Sequence, residues 1–225
     1  MKHRVTSAEW RHRADIVRFG KMLHEQNLVS GTDGNLSVRL AHGLFLTTPK
    51  GISKGQMRVE DLVVVDENGR KVSGVREPSS ELGMHLTIYA LRPEINAVVH
   101  AHPVTATGFA SAGIALTEPI CSEIIIALGE VPLAPYGTPG TPKLSQCLMP
   151  FIKEHDAVLM ANHGVVTYGV DLARAYSNME AVEHFAKVVL VTRQLGSQQM
   201  LDEEDCRELM QARIRYHGIL VPALS

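Results

Sequence analysis

The sequence has 225 residues, 45% of them hydrophobic and 20% charged, which suits one globular domain with a sizeable core. A net charge of -2 excludes a global basic field for nucleic acid or an anionic membrane, and leaves room only for a local anion pocket. The three cysteines, Cys121, Cys147 and Cys206, are widely spaced, which excludes a disulfide framework or a cysteine-built zinc knuckle and predicts a reducing compartment.

The opening MKHRVTSAEWRHR has no apolar stretch, so no secretory signal is expected. No apolar run approaches the ~20 residues that span a bilayer. A cytoplasmic protein is expected, with no membrane and no nucleic acid among its partners. Thr6 and Glu9 form a capping-box pattern ahead of a helix that runs to about Leu28, with Ile16, Phe19 and Leu23 at helical spacing. SGTDGN reads as a loop. Leu36–Leu40 and Leu44–Thr48 read as strands around a turn at His42–Gly43. Leu62–Asp66 is a further strand, and Asn68–Gly69 is a hairpin signal. Ser79 and Ser80 precede a helix that ends before Pro93.

Ala97–His102 is a short apolar strand, and residues 104–112 are helical. Glu123–Leu128 reads as a strand. Thr141–Pro142 places a cap residue before a proline at the first helical position. Ala157–Ala161 is a strand closed by the turn NHG. Asp171 caps a long helix, and a last helix covers about Glu203–Tyr216. Strands and helices mix without strict alternation and no linker interrupts them. This predicts one α/β domain over residues 1–225, with a central, mostly antiparallel sheet flanked by helices.

The chemistry begins at VVHAHP. Residues two apart on a strand share a face, so His100 and His102 can offer two imidazoles to one ion. Zinc takes neutral imidazole nitrogens, and a catalytic zinc keeps three protein ligands and an open position. The alternative is a pair of histidines on a half-exposed strand face. His163, in NHGVV, stands in a tight turn after a strand, where a rigid scaffold commonly mounts functional side chains. Glu81, in PSSE, stands at the start of a helix, where an acid also serves the helix dipole. The remaining histidines (3, 12, 24, 42, 85, 155, 184 and 217) lack such context and read as surface or packing residues. GTDGN and TPKG are candidate anion nests, with Lys50 as a point charge and Ser79 and Ser80 at a helix N-terminus. Ordinary turns are the alternative. Neither loop fits a nucleotide fingerprint.

Taken together, GTDGNLSVR, TTPKGI, EPSSELGMHLTIYALRPEINAVVHAHP, LAPYGTPGT and VLMANHGVVTYG resemble the class II aldolase/adducin family, its fuculose-phosphate aldolase branch in particular. The acid lies 19 residues before the first histidine of H-x-H, and the third histidine 61 residues after the second. The resemblance implies a single zinc ion held by Glu81, His100, His102 and His163. It implies a phosphate cradle of Gly34, Asn35, Lys50, Gly51, Ser79 and Ser80. It also implies a homotetramer with sites between subunits, and cleavage of a ketose 1-phosphate to dihydroxyacetone phosphate and an aldehyde. Glu81 would be a catalytic acid/base as well as a ligand.

Two departures stand out. Lys50 replaces a small hydroxyl residue of the fuculose branch. The tyrosine that this branch places near Cys121–Glu123 is missing, which leaves Glu123 and the C-terminal Tyr216 as candidates for proton transfer at the C4 hydroxyl. Three rivals share the resemblance: a ribulose-phosphate 4-epimerase, a methylthioribulose-phosphate dehydratase and a non-enzymatic adducin-like scaffold. The epimerases typically carry Asp where this chain has Glu81. The dehydratase uses a glutamate, as Glu123 would allow. The scaffold lacks the full ligand set.

Overall fold

The computed structural model describes residues 5–217 and, for His217, the backbone alone. Helix α1 (Ser7–Glu25) starts where Thr6 Oγ1 accepts the Glu9 N–H at 3.2 Å, as the capping pattern predicts. Its apolar stripe of Ile16, Phe19 and Leu23 is buried. Strands β1 (Asn35–Arg39) and β2 (Leu44–Thr47) pair through a turn in which His42 and Gly43 have φ of 61° and 71°. Two left-handed residues in succession match the right-handed twist of the flanking strands. Strand β3 (Val63–Asp66) continues across Asn68–Gly69 into β4 (Lys71–Ser73), and the Asp66 carboxylate accepts the N–H groups of Asn68 and Arg70.

Helix α2 (Leu82–Leu91) stops before Pro93, and β5 (Ala97–Ala101) follows, buried along its whole length. Next come α3 (Val104–Ser111), α4 (Ser122–Ala127), β6 (Leu133–Ala134), α5 (Pro142–Ile152), β7 (Ala157–Met160), β8 (Gly164–Gly169), α6 (Leu172–Leu195) and α7 (Glu203–His217). The Asp171 carboxylate accepts the Arg174 N–H at 2.7 Å and caps α6 as expected.

The eight strands form one open sheet in the order β4-β3-β2-β1-β5-β8-β7-β6, antiparallel throughout except for the parallel β6–β7 pair. A core covers each face. Ala97, Val99 and Ala101 of β5 pack among residues of α1, α3 and α6, whereas Val98 packs with α2 and α5. His100 shares strand parity with Val98, so its ring emerges on the α2 side.

Three elements differ from the sequence expectation, one of them the unexpected two-residue edge strand β6. Residues 122–127 form a helix, not a strand. Its three consecutive isoleucines favour a strand locally, but Ile124 and Ile125 bury as a helical face and α4 packs on α6 and α7. Strand β8 was not expected. It begins at Gly164, the glycine of NHG, and lies between β5 and β7, which makes the histidine turn a hairpin connection.

Candidate metal centre

Four segments meet at one end of the sheet. Strand β5 ends there with His100, which is fully buried, and His102 follows one residue past the strand. The β7–β8 hairpin brings His163, with Asn162 at φ 56° in the turn. Helix α2 starts there with Glu81 at its N-cap. Strand β1 starts there with Asn35, directly opposite His100 in the ladder. Glu81 Oε2 lies 3.3 Å from His100 Nε2, and Glu81 Oε1 lies 3.1 Å from His163 Nε2. The three imidazole rings have centroids 4.8, 4.8 and 5.1 Å apart, and their ligand atoms fall within 4.8 Å of one another. The expected set Glu81, His100, His102 and His163 is therefore brought together as one cluster.

The protonation pattern of the cluster fits a cation. His100 Nδ1 donates to the Val165 carbonyl at 2.8 Å, so the neutral ring has a bare Nε2. His102 Nδ1 faces the Asp33 carboxylate at 3.4 Å, which favours its hydrogen on that side and leaves its Nε2 bare as well. These two nitrogens face each other at 3.0 Å. Two lone pairs held that close repel unless a cation lies between them. Burial and the neighbouring imidazoles of His100 and His163 push the His102 imidazolium down to about 4, so the ring is neutral at physiological pH, as a metal ligand must be. Burial alone would raise the Glu81 carboxyl, but His100 and His163 hold it well below the usual carboxylate range. A donor set of three imidazoles and one carboxylate suits zinc.

The surrounding chain holds these groups in place. A methyl on Gly164 would stand 2.5 Å from His102 Cδ2 and 2.7 Å from the Ala101 carbonyl, so only glycine lets β8 pass so close to the ligand. Gly34 has φ 72°, and a methyl there would stand 2.8 Å from the His100 carbonyl. Helix α3 starts one residue after His102-Pro103, and the buried Glu183 carboxylate of α6 accepts the N–H groups of Thr105 and Ala106 at its N-terminus. Lys54, almost fully buried, donates to the carbonyls of Thr32 and Ile52 and ties the GTDGN loop to the loop after β2. Burial pushes its pKa down to about 8, while Asp33 pulls it up.

The expected phosphate positions gather at the same end. Gly34 and Asn35 open β1, while Lys50 and Gly51 follow the adjacent β2. Ser79 and Ser80 precede α2. The β2 loop is bound to the α2 approach by Lys50 N–H to the Glu77 carbonyl at 3.0 Å and Ser79 N–H to the Thr48 carbonyl at 3.2 Å. Lys50 and Ser80 are exposed and Gly51 has φ 75°, an arrangement open to solvent. The Asn35 side chain is engaged elsewhere: its Nδ2 donates to Glu81 Oε2 at 2.9 Å and its Oδ1 meets His85 Nε2.

His85 is the residue that sequence reasoning passed over. It is buried, and its Nδ1 meets Ser37 Oγ at 2.7 Å, which in turn meets the Tyr89 hydroxyl at 2.8 Å. Glu81, His85 and Tyr89 are spaced by four along α2, and Asn35 and Ser37 by two along β1. That double periodicity was the available signal.

The two expected proton-transfer residues stand apart from the cluster. Glu123 is exposed on α4, where it accepts from Cys121 Sγ at 3.5 Å. Tyr216 is 74% exposed on α7. One turn earlier, buried Arg213 pairs with Asp156 at 3.0 Å. Asp156 precedes β7, so α7 is pinned at the end of the sheet opposite His163. Among the described residues, no hydrogen bond or ion pair joins Glu123 or Tyr216 to the histidines. His3 and the side chain of His217 lie outside the described residues. The three cysteines are free, and no described helix is long and apolar enough to cross a membrane.

Comparison with known proteins agrees with this architecture. The chain is 35% identical over 201 residues to the 5-deoxy-D-ribulose 1-phosphate aldolase of Bacillus thuringiensis serovar kurstaki, covering 88% of this chain and 93% of that one. It is 34% identical over 209 residues to the 3-oxo-tetronate 4-phosphate decarboxylase of Pectobacterium atrosepticum, covering 90% and 94%. A solved L-fuculose 1-phosphate aldolase superposes with a TM-score of 0.85 at 33% identity, over 94% of this chain and 98% of that one. The sequence profile of the Class II Aldolase and Adducin N-terminal domain matches residues 14–190, and the chain belongs to that family as one of its enzymes.

Proposed function

We propose that the chain is a zinc-dependent lyase that cleaves a ketose 1-phosphate, of the 5-deoxyribulose, methylthioribulose or fuculose type, to dihydroxyacetone phosphate and an aldehyde. The observation that carries this is the convergence of three imidazoles and the Glu81 carboxylate on one point beside the loops that precede β1 and follow β2. His100, His102, His163 and Glu81 would hold one ion. When bound, that ion supplies Lewis acidity to the substrate carbonyl and lowers the cost of the negative charge left as the C3–C4 bond breaks. Gly34, Asn35, Lys50, Gly51, Ser79 and Ser80 would orient the phosphate through backbone N–H groups, hydroxyls and the Lys50 ammonium. Glu81 is ionised in this setting and so is suited to take the proton from C3 in the condensation direction. Reversibility has it return that proton in cleavage.

The proton on the C4 hydroxyl must also be removed, and Glu123 and Tyr216 are the candidates. Tyr216 lies at the far end of its own sheet, so it would act on the site of a neighbouring subunit in a homotetramer. A second reading follows from the same observation. Decarboxylation of a 3-oxo-tetronate 4-phosphate, the reaction named for one relative, expels carbon dioxide and needs no hydroxyl base. A cluster to which, among the described residues, neither Glu123 nor Tyr216 is joined suits it. A panel assay with zinc decides between them. Ketose 1-phosphates, ribulose 5-phosphate and 3-oxo-tetronate 4-phosphate are supplied, and aldehyde, carbon dioxide and dihydroxyacetone phosphate are measured. Aldehyde release supports the lyase proposed first, and carbon dioxide released with dihydroxyacetone phosphate but without aldehyde supports the second. Epimerised pentose with no dihydroxyacetone phosphate overturns both.

A further inference from the structure

The side chains of Asn35, Ser37, His85 and Tyr89 form a buried line from the middle of α2 to the Glu81 carboxylate. Each is at most 4% exposed. Hydrogen counting fixes the direction of the line. An ionised Glu81 only accepts, so Asn35 must turn its NH2 group to Glu81. Its carbonyl oxygen is then the atom that meets His85 Nε2, and that nitrogen must carry hydrogen. A neutral ring with hydrogen on Nε2 has a bare Nδ1, so Ser37 donates to it. Ser37 has one hydrogen, so the Tyr89 hydroxyl donates to Ser37. Every link donates toward Glu81. Burial pushes the His85 imidazolium down to about 3, with a further lowering by His100, in keeping with a neutral ring.

We propose that His85 is a positioning residue whose Nε2–H holds the Asn35 amide in the one orientation that donates to Glu81, with Ser37 and Tyr89 fixing the ring. The role it gives Glu81 rests on the lyase reading above. The tautomer does not.

The test has two arms. In metal-free, full-length protein with nitrogen-15-labelled histidine at pH 7, the His85 signals are identified by their loss in His85→Gln. They are expected to show a protonated Nε2 and a bare Nδ1. A protonated Nδ1, alone or with Nε2, overturns the proposal whatever the enzyme's substrate. In the second arm His85→Leu, with the melting temperature checked, is expected to lose about 10–100-fold in kcat with little change in KM. His85→Gln, which can place an amide N–H where Nε2–H stood, is expected to recover most of it. Equal loss in both variants, or a loss confined to KM, overturns the positioning role. If the tautomer stands and no substrate of the panel turns over, only the lyase reading falls.

Discussion

At the scale of single residues, the site depends on protonation states that the fold imposes. Glu81 is the clearest case, because its two oxygens face different imidazoles while Asn35 donates to one of them. Glu81→Gln keeps the shape and loses the proton acceptor. The variant is expected to fold with unchanged melting temperature and to retain part of its metal, while turnover drops by roughly 10²–10⁴. Turnover near that of the parent would reduce Glu81 to a ligand. Protonation also sets a pH limit. His85 and His102 have folded pKa values of about 3 and about 4, against 6.5 for the free side chain. Between roughly pH 6.5 and 4 the unfolded chain therefore binds protons that the native state refuses, so stability falls as the pH is lowered. Buried carboxylates add to the loss only below about pH 4.5. The metal-free protein is expected to lose melting temperature already between pH 6.5 and 5, with a smaller loss in His85→Leu. A flat profile over that interval would contradict the burial of these two rings.

At the scale of elements, the site is a meeting of ends: those of β5 and β7 and the starts of β1, β8 and α2. Glu183 joins α6 to this arrangement by capping α3 just past His102. Glu183→Ala removes charge-assisted bonds to the buried Ala106 N–H and the half-buried Thr105 N–H and should cost roughly 1.5–3 kcal/mol. The expected outcome is a melting temperature several degrees lower together with weaker metal binding, because the start of α3 carries the segment that aims His102. Zinc titration of the folded variant checks the second part. Unchanged zinc affinity would mean that α3 packs but does not aim.

The same elements show what local pattern can reveal. The β1–β2 and β3–β4 hairpins announce themselves through alternation and turn residues, and α1 and α6 through their caps. The H-x-H pair declares a shared face. The convergence of Glu81 and His163 on that pair depends on strand order, which no local pattern carries, and it entered only through family resemblance. His85 stayed hidden because a histidine within an apolar helix looks like packing until β1 is known to lie beneath α2. Helix α4 was misread because three β-branched residues favour a strand, while the deciding contacts come from α6 and α7, far along the chain.

At the scale of the whole molecule, the position of α7 raises the question of assembly. Arg213 anchors the helix to Asp156 at the sheet end opposite the histidines, and Arg92 pairs with the same carboxylate. Arg213 is buried against Asp156, while Arg92 divides its guanidinium between Asp156 and the exposed Glu94, so α7 is held by a buried ion pair that Tyr216 would have to break to reach its own cluster. An exposed tyrosine on a fixed helix can serve catalysis only from outside the subunit whose metal centre it completes. Exposed apolar side chains occur on both C-terminal helices, Leu190, Val191 and Leu195 on α6 and Ile214 on α7. If Tyr216 acts in trans, Tyr216→Phe and Glu81→Gln are each inactive as homo-oligomers for different reasons. Dissociated, mixed and reassembled, they form some sites with an intact Glu81 from one chain and an intact Tyr216 from the other. Random mixing of equal amounts makes about a quarter of the sites fully intact when each site draws on two chains. The expected result is recovery of activity toward that fraction, absent when either variant is reassembled alone. A Tyr216→Phe enzyme with unchanged kcat removes the tyrosine from the mechanism, and a fully active monomer removes the shared site.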